Sequence, residues 1–287
     1  MAIALGLNVA MLAVGLIGGL ITGSLAVLAD AGHVLSDVAS IALGLLAVSL
    51  ASRPSDSRRT FGMQRSEVLA AFANGLTLVV VAVLIVIAAV GRLSDPPELE
   101  GGGGAVLALG FFGLLGNALA TWVLARGDRG DLNLEGVLRH SFADALGSLA
   151  VIASGSVILL TGWLQADPVA SLLVAVLILA SSVRLVLEPL DVLMESAPAR
   201  LDVEVLGAEL CRVEGVTQVH ELHVWTVTAG FETLSAHVVV AAGRDRDAVR
   251  RELEFVLTKR FGLEHTTLQM EEEVAGGELL QVTPNAG

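Results

Sequence analysis

The first 195 residues are a succession of long apolar runs, and no other feature restricts the fold of this chain as much. A helix that crosses a bilayer needs about 20 predominantly apolar residues. Ala2–Thr22 carries no charge, and Leu25–Ser52 is apolar apart from Asp30, His33 and Asp37. Val68–Gly91 and Gly101–Ala125 are again free of charge. Val137–Leu164 contains Arg139, His140 and Asp144, and Pro168–Val183 is expected to continue as helix past Arg184. The pattern predicts six transmembrane helices. The first run lacks a basic leader and is long for a signal-peptide core, so it reads as the first span. Asp167–Pro168 is a start signal for the last span: the Asp is expected to cap that helix's free amides, and Pro fits a first turn.

Composition agrees and excludes several classes. Charged residues make up 16% of the chain and hydrophobic residues 54%, whereas a soluble domain has about 25% charged residues. Such a chain is not disordered. Its single cysteine, Cys211, has no partner for a disulfide framework. A net charge of -13 argues against a nucleic-acid partner. After about Glu195 acidic and basic residues appear every few positions. The expected organisation is a membrane domain over 1–195, a soluble domain over 196–275 and a flexible tail over 276–287.

Loop charges predict the orientation, because Lys and Arg are retained on the cytoplasmic side. Arg53, Arg58, Arg59 and Arg65 lie between spans two and three, and Arg126 and Arg129 between spans four and five. The intervening loops carry only Arg92, beside Asp95, Glu98 and Glu100, or no basic residue. Both termini and the soluble domain are therefore expected in the cytoplasm of a multi-pass cell-membrane protein.

In the soluble part, Leu201–Val213 has helical spacing, with Val203, Leu206, Leu210 and Val213 on one face. Val216–Val227 and Phe231–Ala241 read as strands joined by the Ala229–Gly230 turn. Asp245–Phe261 is an amphipathic helix stopped by Gly262, and His265–Glu271 is a third strand. The fold class expected is an α-helical membrane protein: a six-helix bundle followed by an α+β domain of order αββαβ.

Ionisable groups inside a bilayer are costly, so each needs a reason. His33 and Asp37 in span two, and His140 and Asp144 in span five, repeat one pattern, His-x-x-x-Asp. That spacing puts both side chains on one helix face. If the two helices face each other, two imidazoles and two carboxylates converge on a set that suits tetrahedral Zn²⁺. A single such His commonly serves as an interhelical hydrogen-bonding partner, and a His–Asp pair also serves as a metal-free proton relay. Two copies in separate helices tip the reading towards metal. The mixed donors favour Zn²⁺, with Cd²⁺, Co²⁺, Ni²⁺ and Fe²⁺ as alternatives, over ions that prefer all-oxygen or thiolate sets. Asp30, one turn before His33, either orients the imidazole or faces a water-filled opening, and the second reading is favoured. Asn74 and Asn117 are expected to hydrogen-bond between helices.

These residues carry a resemblance. The run GSLAVLADAGHVLSD from Gly23 to Asp37 is similar to span two of the cation diffusion facilitators, in particular their bacterial zinc-efflux branch. Arg59–Glu67 (RTFGMQRSE) resembles that branch's loop into span three, Leu138–Asp144 (LRHSFAD) its span five, and Val219–Trp225 (VHELHVW) the first strand of its cytoplasmic domain. The likeness runs through nearly the whole chain in the expected order.

The resemblance implies a homodimeric exporter that exchanges cytoplasmic Zn²⁺ for external protons, with His33, Asp37, His140 and Asp144 as its transport site. The family's manganese branch has Asp where His33 stands, which puts this sequence on the zinc side. Some relatives bind metal in the loop between spans two and three, where this chain has Asp56, Arg59 and Met63. Arg and Met there do not suit zinc, so no metal is expected. The segment from Arg126 to Glu135 also lacks the histidines of a metal-collecting loop. By position, a cytoplasmic metal group would comprise His220, His237 and Glu271, with Gln269 in place of the His often found there. His223 and His265 are possible substitutes. The resemblance further implies a charge pair between Arg65 and Glu195 that links the membrane bundle to the cytoplasmic domain.

The function expected is thus a secondary transporter: a Zn²⁺/H⁺ antiporter working by alternating access. It has no catalytic residues and no cofactor, and its partners are a second copy, the lipid bilayer, metal ions and protons. The alternative is a membrane-anchored zinc sensor that signals through the cytoplasmic domain. A membrane metallohydrolase is disfavoured, because the four ligands leave no open water position and no spare deep Glu serves as acid or base.

Overall fold

The computed structural model describes residues 2–125 and 134–272, with side chains at 5–122, 142 and 144–272. The chain forms two compact units, one up to Leu190 and one from Asp191 onward.

The first unit contains α1 (Ala2–Thr22), α2 (Leu25–Ala51), α3 (Ser66–Ser94), α4 (Gly102–Ala125), α5 (Leu134–Thr161) and all but the last three residues of α6 (Ala166–Leu193). All six are long and apolar enough to cross a membrane. Their boundaries follow local chemistry. Gly23 takes a left-handed conformation, φ 72°, and turns the chain between α1 and α2. Ser24 then caps α2 by accepting from the Val27 amide. The fifth helix ends three residues earlier than the apolar pattern predicts, because left-handed Gly162, φ 69°, stops it after Thr161. The sixth begins at Ala166 and runs through Pro189 to Leu193, well past the apolar stretch itself.

Small residues let these helices approach closely. A Cβ added to Gly155 of α5 would lie 2.5 Å from the Leu107 backbone nitrogen of α4. One core cluster joins Ala26, Val27 and Ala29 of α2 to Ala82 of α3, Val151 of α5 and Val174 of α6. It gathers about the beginning of α2. Towards the other end of that helix, Leu45, Leu46 and Val48 are exposed, as side chains turned to lipid would be. Polar links cross the interior. Asn74 of α3 accepts from Ser36 Oγ at 3.2 Å and donates to Ser40 Oγ at 2.6 Å, both on α2. Asn117 of α4 donates to Ser148 Oγ of α5 at 3.4 Å. Both asparagines thus bond between helices.

The second unit contains α7 (Val203–Leu210), β1 (Val216–Thr228), β2 (Phe231–Val240), α8 (Arg246–Val256) and β3 (His265–Glu272), the αββαβ order. Asp202 and Asp245 cap the two helices, each accepting from two backbone amides. A π-helical segment, Leu257–Phe261, continues α8 until left-handed Gly262 ends it. The sheet order is β1-β2-β3. β1 and β2 form an antiparallel hairpin, and α8 carries the chain across so that β3 lies parallel to β2. Leu206, Leu210, Leu234, Leu253, Leu257 and Leu263 are fully buried between helices and sheet.

β1 is irregular at Glu221. His220 pairs with His237 and His223 with Ser235, so three steps along β1 match two along β2. The extra residue is accommodated by Glu221 at φ 47°, a β-bulge with a non-glycine residue in the left-handed region.

Candidate metal sites

Among the described residues, two groups of side chains carry metal-ligand chemistry, one in each unit. In the membrane unit His33 and Asp37 come from α2, one turn apart on the same face, and Asp144 comes from α5. Their nearest ligand atoms all lie within 4.8 Å of one another. His33 Nδ1 stands 3.6 Å from Asp37 Oδ2 and 3.5 Å from Asp144 Oδ1. Two ligands held about 2.0–2.1 Å from a tetrahedral Zn²⁺ are about 3.3–3.4 Å apart. The observed spacings are therefore close to the edge of a zinc tetrahedron. The side chains are 13–20% exposed, sheltered but reachable. His140, the fourth expected ligand, lies on α5 one turn before Asp144, and its side chain falls outside the described residues.

Asp30, one turn before His33, turns to α5, where its Oδ2 accepts from Ser148 Oγ at 3.4 Å. Its carboxyl also borders a cavity of about 20 Å³ lined by Met11, Gly15, Leu109 and Gly113, room for about one water molecule. Asp167 departs from its expected role. Its carboxylate does not cap α6. It crosses to α2, where it accepts from Ser24 Oγ and from the Leu25 and Ala26 amides. Asp-Pro signals a helix start, but nothing local to it indicates a partner 142 residues away.

In the second unit His220, His237 and Glu271 meet on the open face of the sheet. The β1–β2 register sets His220 beside His237, and the parallel β2–β3 register brings Glu271 within reach. His237 Nδ1 is 2.8 Å from Glu271 Oε1, and His220 Nε2 is 3.1 Å from Glu271 Oε2. The imidazole rings meet edge to face at 5.1 Å. Gln269 was expected only as a poor ligand, and it acts as a donor instead: its amide reaches Glu271 Oε1 at 2.9 Å. That hydrogen bond, followed by those from His220 and His237, holds the Glu271 carboxyl below the ordinary glutamate range. The two possible substitutes stay outside this group. His223 is exposed one row away, opposite Ser235, and His265 packs edge-on against Phe231. In the loop between α2 and α3, Asp56 Oδ1 accepts from the Arg58 and Arg59 amides and so serves a local turn.

Comparison with known proteins comes from the whole chain. Residues 1–194 match the family model described as the cation efflux transmembrane domain. Residues 198–273 match the model described as the cation efflux protein, cytoplasmic domain. The chain is 40% identical to the zinc transporter ZitB of Shigella flexneri, over 93% of this chain and 85% of that protein. It is 37% identical to the cadmium, cobalt and zinc/H⁺-K⁺ antiporter of Bacillus subtilis, over 90% of this chain and 83% of that one. It is 36% identical to the metal cation efflux system protein CzcD of Cupriavidus metallidurans, over 94% and 85% respectively.

Proposed function

Because the chain belongs to the cation efflux family of membrane transporters, we propose that it exports Zn²⁺ in exchange for protons, through a site between α2 and α5. It is a multi-pass membrane transporter rather than an enzyme. The observation that carries the proposal is the meeting of His33 and Asp37 with Asp144 at spacings that suit a tetrahedral ion. His140, one turn from Asp144, completes the ligand set in this reading. The names of relatives that transport zinc, and of one that exchanges metal for protons, support it.

Coupling follows from the ligands. Zinc binds neutral imidazole and ionised carboxylate, so metal and protons exclude one another. His titrates close to neutral pH. At an inward opening the group gives up protons and takes Zn²⁺; at an outward opening protons return and the ion leaves. Alternating exposure makes this exchange vectorial. In this reading the basic loops, both termini and the second unit face the cytoplasm, and the transport domain spans 1–195 with the cytoplasmic domain over 196–275. The protein works as a homodimer. Zn²⁺ is the cargo, and at His220, His237 and Glu271 it is also a regulatory ion.

The test is uptake of Zn²⁺ into proteoliposomes under an imposed pH gradient, followed with a trapped indicator. Wild-type protein is expected to take up zinc as the gradient dissipates, and Asp37→Ala is expected not to. Equal uptake by both would remove the membrane site, and uptake indifferent to the gradient would remove the antiport.

A further inference from the structure

We propose that Asp167 is a positioning residue for transport: through it α6 holds the first turn of α2 and thereby sets where His33 and Asp37 stand relative to Asp144. The proposal rests on the membrane-site reading above.

The accounting of hydrogen bonds at the start of α2 leads to it. The first amides of a helix lack partners within the helix. Ser24 takes the Val27 amide at 3.2 Å, and an ordinary N-cap ends there, with water or local groups meeting the remainder. Here the Leu25 and Ala26 amides go to Asp167, at 2.8 and 3.3 Å, and Ser24 Oγ donates to the same carboxylate at 2.5 Å. Asp167 is 2% exposed. A carboxylate so buried is costly unless its oxygens are satisfied, and among the described residues every donor to its side chain comes from the start of α2. Charge-assisted hydrogen bonds of this kind are the strong ones.

The same turn is held from two further directions. Arg92 of α3 donates to the Gly23 carbonyl at 2.6 Å. The Glu100 amide donates to the Thr22 carbonyl at 3.1 Å. Behind it, Leu25, Ala26, Val27 and Ala29 are buried, and α6 packs Ala170, Val174 and Ile178 into the same cluster. The helix bearing two of the three described ligands is thus fixed at one end.

Leverage makes that end matter for the ion. At about 1.5 Å rise per residue, His33 stands about 14 Å and Asp37 about 20 Å beyond Ser24. A tilt of about 1° about the first turn moves Asp37 by roughly 0.3 Å, more than the ±0.2 Å tolerance of a metal–ligand distance. Asp167 bonds to Ser24, Leu25 and Ala26 and to none of the described ligands, yet it governs the angle at which two of them arrive.

Zinc-uptake kinetics in proteoliposomes test this with Asp167→Asn, Ser24→Ala and Asp144→Ala. Asn offers one acceptor oxygen, and its NH₂ would face donors on α2. Asp167→Asn is expected to raise KM for Zn²⁺ at least about ten-fold, the range seen when a group that orients metal ligands is removed. It is also expected to narrow the preference for Zn²⁺ over Cd²⁺. Ser24→Ala removes one donor to the carboxylate and is expected to shift both quantities the same way, by less. A purely structural cap would lower Vmax with the amount of folded carrier and leave KM and ion preference at wild-type values, and that result overturns the proposal. If Asp167→Asn does not fold, Ser24→Ala decides on the same criterion. Normal transport by Asp144→Ala would instead bring down the membrane-site reading and this inference with it. An inactive Asp144→Ala beside variants of wild-type KM brings down this inference alone.

Discussion

The two His–carboxylate groups use similar side chains and differ in what holds them apart. On the sheet, Glu271 is already hydrogen-bonded by both imidazoles and by Gln269, at 2.8 to 3.1 Å. Between α2 and α5 the corresponding distances are 3.5 and 3.6 Å, longer than normal hydrogen bonds and near the edge of a zinc tetrahedron. The sheet group is closed on itself, and a metal ion must displace those bonds. The helical group is spread by two backbones whose positions its own side chains do not set. A transport site has to release its ion, which suits ligands borne on separate helices. A site on a rigid sheet has no such requirement.

Removing a ligand breaks the comparison most severely. Asp37→Ala or Asp144→Ala is expected to cut zinc uptake by vesicles at least about 100-fold, with the protein still folded by size-exclusion chromatography. His237→Ala is expected to remove zinc binding at the sheet group and to leave uptake within several-fold of wild type. Comparable losses from the helical and sheet variants would mean that the two groups share one role.

The next effect concerns choice of ion. His33→Asp turns the helical group towards all-oxygen ligation, which suits harder ions. Uptake of Mn²⁺ relative to Zn²⁺ is expected to rise about ten-fold, measured by competition in the same vesicles. An unchanged ratio would argue that His33 is not a ligand.

Gln269→His sharpens the contrast from the other side. It replaces a donor to Glu271 with a ring nitrogen able to bind metal. Zinc titrated calorimetrically in an Asp37→Ala background, where the helical group is disabled, is expected to bind the sheet group about ten-fold more tightly. Unchanged affinity would show that the amide at position 269 does not limit that group.

Much of this arrangement was legible in the sequence, because it depends on local periodicity. Six apolar runs predict six helices, and His-x-x-x-Asp puts His33 beside Asp37 through helix geometry alone. The αββαβ order follows from alternation and turn residues. What stayed hidden depends on contacts distant in sequence or on broken periodicity. Asp167 reads as a cap for its own helix because Asp-Pro is a local signal, whereas its partners Ser24, Leu25 and Ala26 are supplied by tertiary packing. Gln269 reads as a weak ligand because the carboxylate its amide reaches, Glu271, is held by His220 and His237, which β1 and β2 bring up from 51 and 34 residues away. Strict alternation along β1 would put His220 and His223 on opposite faces. The bulge puts both on the open face, opposite His237 and Ser235.

That bulge yields the smallest effect. Glu221 at φ 47° occupies a conformation that glycine adopts freely and an L residue with a Cβ does not. The strain is on the order of 1 kcal/mol. Glu221→Gly is therefore expected to stabilise the second unit slightly, by less than the full strain because glycine also loses more backbone entropy on folding. Glu221→Val, β-branched, is expected to destabilise it. Neither change touches His220, His237 or Glu271, so zinc binding there should persist in both. Deleting Glu221 is different: it restores simple alternation, and either His220 or His223 must leave the open face. If thermal unfolding ranks Val above Gly, the left-handed backbone is not under strain. If the deletion still binds zinc at the sheet group with wild-type affinity, the bulge does not set the aim of His220.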